Sequence, residues 1–223
     1  MATKSTQDLH PNIVIGPSKA YAYLFTQMRK KESSPPTFAA YARRAMALLA
    51  EDAIAEMPTK EVEITTPCGP TTGVELDVDK VCVVSIIRAG DSLLQSFLNA
   101  LPEASVGKIL IQRNEESEDK EPIFYYSKMP PNVGDMHIIL CDPMLATGGS
   151  ALCAITALRD QYSVNLSNVL FANMICCPEG LQAMADAHPE IKIVTACIDK
   201  CLNEDKYIIP GLGDYGDRFF NTI

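Results

Sequence analysis

The chain is short of the features that would send it to a membrane, a nucleic acid or a metal cage. Its 223 residues carry 28 Asp and Glu against 19 Lys and Arg, a net charge of −9. That excess of acid repels phosphate polymers overall, so no nucleic-acid or membrane-surface partner is expected, although local cationic sites remain open. No stretch approaches the roughly 18 consecutive apolar residues of a membrane span. The first ten residues, M-A-T-K-S-T-Q-D-L-H, lack the apolar core of a secretory signal, and Asn221-Thr222-Ile223 is no peroxisomal tripeptide. The expectation is a soluble, cytoplasmic protein. There are three histidines, none in a motif. No G-x-G-x-x-G follows any of the predicted strands and no G-K-[ST] occurs, which weakens the alternative of a dinucleotide- or nucleoside-triphosphate-binding fold. Internal repeats and low-complexity tracts are also missing.

Cysteine, by contrast, is plentiful, at eight residues. Cys82, Cys141, Cys153, Cys176 and Cys197 all have apolar neighbours, which points to buried free thiols rather than disulfides. Cys176-Cys177 and Cys197-x-x-x-Cys201 are not zinc spacings. A chain of this length that is 47% hydrophobic and 21% charged can bury a sizeable core, and residues 1–223 are read as a single domain.

Along the chain, Pro11, Gly16 and Pro17 break residues 1–16 into an expected tail. A helix is predicted over about 18–31 with Ser18 as its cap, and a second from about Thr37 to Met57, after Ser33-Ser34-Pro35-Pro36. In the second, Phe38, Tyr41, Ala45 and Leu48 make one apolar stripe for core or subunit contact. Alternation through Val62-x-Ile64 and Val74-x-Leu76-x-Val78 around Pro67-Cys68-Gly69-Pro70 predicts a hairpin over 60–78. From Val81 onward, apolar runs alternate with helical patterns. Strands are predicted at 81–87, 108–112, 137–141, 169–176 and 191–196, and helices at 92–99, 150–161 and 179–187. Such runs imply an α/β fold, a mostly parallel sheet covered by helices on both faces, with ligands beyond the carboxyl ends of its strands.

The stretch His137 to Leu158 organises the rest. Ile138-Ile139-Leu140-Cys141 stops at Asp142-Pro143, and a helical period begins at Ser150. Gly148 and Gly149 bare the backbone where loop becomes helix, so N–H groups from Thr147 to Ser150 can converge on an anion at the positive helix end. Asp142 would oppose a plain phosphate. A sugar phosphate suits both ends, with ribose hydroxyls on the carboxylate, the 5′-phosphate on Thr147-Gly148-Gly149-Ser150, and Pro143 and Met144 spanning the distance. An ordinary strand-turn-helix corner is the bland alternative. Elsewhere, Arg88-Ala89-Gly90 puts a guanidinium at the end of a neighbouring strand, where its planar fork suits phosphate oxygens. The small residues of that turn can admit a diphosphate closely. Arg113 ends the next predicted strand and opens residues 114–136, a long excursion suited to a lid or an oligomer contact. The last segment, 202–223, contains Tyr207-Ile208-Ile209-Pro210-Gly211-Leu212-Gly213-Asp214-Tyr215-Gly216-Asp217-Arg218, too glycine-rich for a helix and read as a shaped backbone loop.

D-P-M-L-A-T-G-G-S at 142–150 resembles the phosphoribosyl-diphosphate loop of the phosphoribosyltransferases, in the wording of the uracil branch. Arg88-Ala89-Gly90 matches that family's diphosphate-binding turn. The stretch from Lys108 to Arg113, with Phe124-Tyr125-Tyr126, resembles the arm that carries a second diphosphate-binding Arg, and Asn114 stands where Asp is typical. Residues 210–217 resemble the uracil-binding loop, with Tyr215 in place of a small residue. The F-x-x-Y-A-x-R-x-x-x-L-L run from Phe38 is similar more loosely.

The resemblance implies an enzyme of pyrimidine salvage that makes UMP and diphosphate from uracil and 5-phosphoribosyl diphosphate. Arg88, Arg113, Asp142 and Asp214 would be its catalytic residues. Residues Asp142, Pro143, Met144, Leu145, Ala146, Thr147, Gly148, Gly149 and Ser150 would hold the phosphoribosyl group. Main-chain groups of Ile208, Gly213, Asp214 and Tyr215 would read uracil. It implies Mg²⁺ carried with the diphosphate and placed near Asp214, and a homodimer or homotetramer; it also admits GTP binding. The alternatives are a non-catalytic nucleotide sensor on the same fold and a transferase for another base.

Overall fold

The continuous Val and Ile runs become the strands of one central sheet, because both of its faces are covered and most of its side chains are buried. The computed structural model describes residues 9–78, 80–113 and 121–222. In chain order the elements are β1 (Ile13–Ile15), α1 (Ala20–Arg29), α2 (Pro35–Ile54), β2 (Thr59–Thr66), β3 (Gly69–Leu76), β4 (Val81–Ile87), α3 (Asp91–Ala100), β5 (Ser105–Arg113) and β6 (Pro122–Lys128). They continue with β7 (His137–Cys141), β8 (Met144–Leu145), α4 (Gly149–Tyr162), β9 (Val169–Cys176), α5 (Pro178–Ala187), β10 (Lys192–Ile198), β11 (Cys201–Leu202), β12 (Ile208–Ile209) and α6 (Tyr215–Phe220).

The main sheet runs β1-β10-β9-β7-β4-β5-β6, and β8 pairs with β9 beside that path. Every pairing in it is parallel except β5 with β6. One face buries Val83, Ile139, Cys141 and Ala172 against Leu24, Phe38, Met46, Leu49 and Phe97 of α1, α2 and α3. The opposite face buries Cys82, Val84, Leu140 and Phe171 against Ile155 and Leu158 of α4 and Leu181 and Met184 of α5. From β4 the chain crosses to β5 on one side, and from β7 to β9 on the other, although β4 and β7 are neighbours. Connections that part in this way leave a crevice at the carboxyl ends of the two strands.

Several boundaries differ from the expectations above. Residues 13–15, expected in a tail, add β1 to the sheet edge beside β10. The first helix, α1, starts at Ala20 rather than at residue 18, and Ser18 serves its start as expected: its hydroxyl accepts from Ala20 N at 3.3 Å and its carbonyl from Tyr21 N at 3.2 Å. Pro35 and Pro36 open α2 rather than precede it, because proline has no N–H to lose in a first turn, and the Ser34 hydroxyl accepts from Thr37 N. Within α2 the buried stripe is Phe38, Ala42, Ala45, Met46 and Leu49, with Tyr41 and Leu48 only half-buried at its margin. The predicted hairpin is β2 paired antiparallel with β3. Of the excursion 114–136, residues 114–120 lie outside the described residues, and 122–128 form the antiparallel edge strand β6, whose proline sits at the strand start. The described cysteines are free thiols; Cys82, Cys141 and Cys176 are buried as expected, whereas Cys153 and Cys197 are partly exposed.

Candidate functional site

A cleft of about 560 Å³ opens over the carboxyl ends of β4 and β7. Three stretches singled out in the sequence border it: Arg88-Ala89 after β4, Asp142 with 144–151 after β7, and Ile208 with 213–216 near the C-terminus. Ile111 and Gln112 bring the end of β5 to the same cleft.

Asp142 follows β7 directly, and its Oδ1 accepts the Met144 N–H at 3.2 Å, which folds the chain back into β8. Pro143, expected among the contacts, does not line the cleft. It is buried, and its carbonyl accepts from Met174 N and Ile175 N at 3.1 Å, so it anchors the loop to β9. Leu145 and Ala146 are buried as well and offer the cleft little beyond their main chain. Gly180, to which no sequence motif points, lets α5 approach this loop: a Cβ there would lie 2.6 Å from the Ala146 carbonyl oxygen and 2.8 Å from that of Leu145.

Gly148 and Gly149 differ in why they are glycine. Gly148 has φ +86°, the left-handed conformation that places it as the cap of α4. Gly149 has an ordinary helical backbone, and a Cβ there would meet nothing closer than Pro122 at 3.5 Å. The N-cap residue Gly148 has no side chain to cap α4, and the Thr147 hydroxyl makes only a long contact to Gly149 N at 3.5 Å, so most of the positive end of a 14-residue helix is left to an anion in the cleft.

Arg88 borders the cleft but is not simply aimed into it. Its Nη2 donates to Asp217 Oδ1 at 2.7 Å and its Nη1 to Thr222 Oγ1 at 2.8 Å, so α6 and the residues after it tether the guanidinium. Gly90 follows for a packing reason: a Cβ there would lie 2.2 Å from the Cys141 carbonyl oxygen. The turn is therefore tight because it presses on β7, and Arg88 and Ala89 still border the cleft beside it. Behind it, Asp91 pairs with Lys108 and accepts from the Ser85 hydroxyl, fixing the start of α3. Arg113 is the last residue of β5 and pairs with Pro122.

A family model described as uracil phosphoribosyltransferase matches residues 15–222. The chain belongs to the uracil phosphoribosyltransferase family. A uracil phosphoribosyltransferase of Polaromonas naphthalenivorans is 42% identical over 197 residues, 88% of this chain and 92% of that protein. One from Schizosaccharomyces pombe is 39% identical over 215 residues, 96% of each. A solved protein of Aquifex aeolicus superposes with a TM-score of 0.81 at 31% identity, covering 93% of this chain and 97% of that one. The adenine phosphoribosyltransferase of Trypanosoma brucei, at TM-score 0.53 and 12% identity over 84% of each chain, shows a shared fold. The chain is thus a phosphoribosyltransferase-fold enzyme of the uracil phosphoribosyltransferase family.

The C-terminal segment of this family member, expected to be too glycine-rich for a helix, is a loop only in part: Ile208–Ile209 pairs with Cys201–Leu202 and Tyr215–Phe220 form α6, begun by the Asp214 cap. The main chain of Tyr215 borders the cleft, but its side chain is 2% exposed and points into the core. The ring meets Phe38 edge-on at 5.5 Å and stacks on Phe219 at 5.6 Å. Its hydroxyl lies 3.0 Å from the Ser92 hydroxyl, and burial pushes its pKa up. The residue where a small one was expected therefore nails the loop to α2 and α3 rather than shrinking the pocket. Asp214 is exposed, and its Oδ1 caps α6 by accepting from Asp217 N at 2.8 Å. Gly213 takes φ +78° and Gly211 φ +62°, and a Cβ at Gly211 would also sit 2.0 Å from the Ile208 carbonyl oxygen.

Among the described residues no helix is long and apolar enough to cross a membrane, and no cluster of three or more His, Cys, Asp or Glu could cage a metal. Three carboxylates border the cleft, Asp142, Asp205 and Asp214; without a cage among the described residues, such a set would suit only a magnesium ion that arrives on a diphosphate and keeps most of its own water, the usual habit of that ion.

Proposed function

We propose that the chain transfers the 5-phosphoribosyl group of 5-phosphoribosyl diphosphate to N1 of uracil, releasing diphosphate and UMP. One observation carries the reading: a largely uncapped helix end, a strand-tip carboxylate and a glycine-rich backbone loop border a single cleft. The first suits the 5′-phosphate, the second the ribose hydroxyls, and the third a planar base with fixed donors and acceptors.

In the reaction the bond from C1 to the diphosphate oxygen breaks and its electron pair leaves with diphosphate. N1 of uracil bonds to C1, and the N1 proton passes to water. The developing cationic sugar needs charge stabilisation and positioning more than covalent help. Asp142 would accept from the ribose hydroxyls and offset the charge beside them. The N–H groups of Thr147 to Ser150 would hold the 5′-phosphate. Arg88, shared with Asp217 in this state, would turn to the diphosphate, with Arg113 as its partner from the end of β5. Asp214 would meet the magnesium ion brought in with the diphosphate, which when bound would supply screening of the leaving charge. Ile208, Gly213, Asp214 and Tyr215 would read the base through their main chain. The substrates are small molecules, and assembly into a homodimer or homotetramer belongs to the same proposal, as does a cytoplasmic setting. Labelled uracil should become UMP only when 5-phosphoribosyl diphosphate is present. Failure to form UMP under those conditions would refute the reading.

A further inference from the structure

Arg29, the last residue of α1, meets Asp199, just past β10, although 170 positions separate them. Arg29 Nη1 donates to Asp199 Oδ2 at 2.7 Å and Nη2 to Oδ1 at 2.6 Å, a two-point pairing. The Asp199 side chain is only 5% exposed. The same two side chains grip both polar atoms of one glycine: Gly211 N–H donates to Asp199 Oδ2 at 2.8 Å, and the Gly211 carbonyl accepts from Arg29 Nη1 at 2.8 Å. The next carbonyl, Leu212 O, accepts from Arg218, whose other nitrogen donates to Lys30 O at 2.9 Å, beside Arg29. Neither Arg29 nor Asp199 borders the cleft, whereas Ile208 and Gly213, on either side of the Gly211 turn, both do.

We propose that Arg29 and Asp199 are a positioning pair for base recognition. They set the orientation of the Gly211 peptide and, through the tight turn around it, the aim of the main-chain groups at 208 and 213–215. A base read by main chain has no rotamer to adjust, so its readers are only as well placed as the chain itself. A carboxylate–guanidinium fork in a water-poor position resists rotation and supplies that rigidity. The inference rests on the reading of this loop as the base site.

The test uses two variants of the full chain. Arg29→Lys keeps the charge and loses the fork; Asp199→Asn keeps the shape and loses the charge. Each should raise KM for uracil about 10- to 100-fold, the scale of a small misplacement of reacting groups, while KM for 5-phosphoribosyl diphosphate moves less than about twofold. A pair with a merely structural role would lower the active fraction, and so Vmax, with both KM values unchanged; that result would overturn the proposal. Amide exchange in the wild type covers variants that fail to fold. The Gly211 N–H should exchange slowly for a loop, and exchange at the rate of an open loop overturns the proposal. Wild-type protein that forms no UMP would overturn the base-site reading and the pair's role with it. Normal turnover with an unmoved KM for uracil in the variants overturns the pair's role alone.

Discussion

The place of Asp142 at the cleft is legible in the sequence because a carboxylate ending an apolar run, followed within a few residues by Thr-Gly-Gly-Ser, marks a strand tip that turns into a helix start. Asp142→Asn should keep the fold, since the amide oxygen can still accept from Met144 N. It should lower kcat/KM by about 10- to 150-fold, the equivalent of losing a charge-assisted contact of about 1.5–3 kcal/mol. Steady-state kinetics on the folded variant check this, and an unchanged kcat/KM would remove Asp142 from the mechanism. Arg113→Ala should weaken 5-phosphoribosyl diphosphate more than a 5′-phosphate nucleotide in titration calorimetry, because the proposal places Arg113 on the diphosphate alone; equal losses would contradict it. Tyr215 is not legible in this way. A tyrosine among glycines gives no sign of which way its ring points, and only packing against Phe38 and Phe219 settles that. Arg29, Asp199 and Arg218 escape a sequence reading for a related reason, since partners 170 or more positions apart leave no local signature.

Elements are most legible where packing agrees with local pattern. β4, β7 and β9 begin and end where their Val and Ile runs do, because both sheet faces bury them. β1 and β6 lie at the edges, where three residues between polar breaks, or a strand opening on proline, look like loop. The corner proposed to hold the 5′-phosphate gives a test at this scale. Gly148→Ala forces a Cβ onto a left-handed backbone and should cost on the order of 1–3 kcal/mol, lowering Tm by about 2–4 °C per kcal/mol for a chain of this size. Gly149→Ala should leave Tm within a degree or so, because its Cβ has space and alanine suits a helix. That methyl would nevertheless stand in the anion nest, so KM for 5-phosphoribosyl diphosphate should rise. Equal Tm losses in the two variants would contradict the assignment. The tether of Arg88 to α6 has its own signature. The Asp217 carboxyl is held below its ordinary range, first by the Thr222 hydroxyl and then by the Arg88 guanidinium. A depressed carboxyl contributes its stability above the unfolded pKa and loses it as pH falls through the folded value. Arg88 side-chain resonances should therefore hold steady from neutrality downward and shift only below about pH 4. A shift near neutrality would mean that Asp217 does not hold Arg88.

At the scale of the whole molecule, the sheet's order makes the site. Connections leaving β4 and β7 in opposite directions open the crevice, and the C-terminal segment closes it from above, tied down by Tyr215, Arg29 and Arg218. The central claim is that this closing loop reads uracil with main-chain groups, whose polarity cannot be reversed. Uracil offers an acceptor at O4 and a donor at N3, and cytosine offers the reverse at both, so cytosine leaves two mismatched buried pairs. At about 1–3 kcal/mol each, they amount to roughly 30-fold to more than 10,000-fold discrimination. Truncating Tyr215 to Ala would open a core cavity at a cost of about 3–5 kcal/mol, which would mix stability into any change of base choice. Tyr215→Phe removes only the hydroxyl that meets Ser92. The most direct measurement is kcat/KM for uracil and for cytosine, with 5-phosphoribosyl diphosphate saturating, in the wild type and in Tyr215→Phe. The account predicts a preference for uracil of at least about 30-fold in both proteins. Comparable values for the two bases, or a preference lost in Tyr215→Phe, would contradict it.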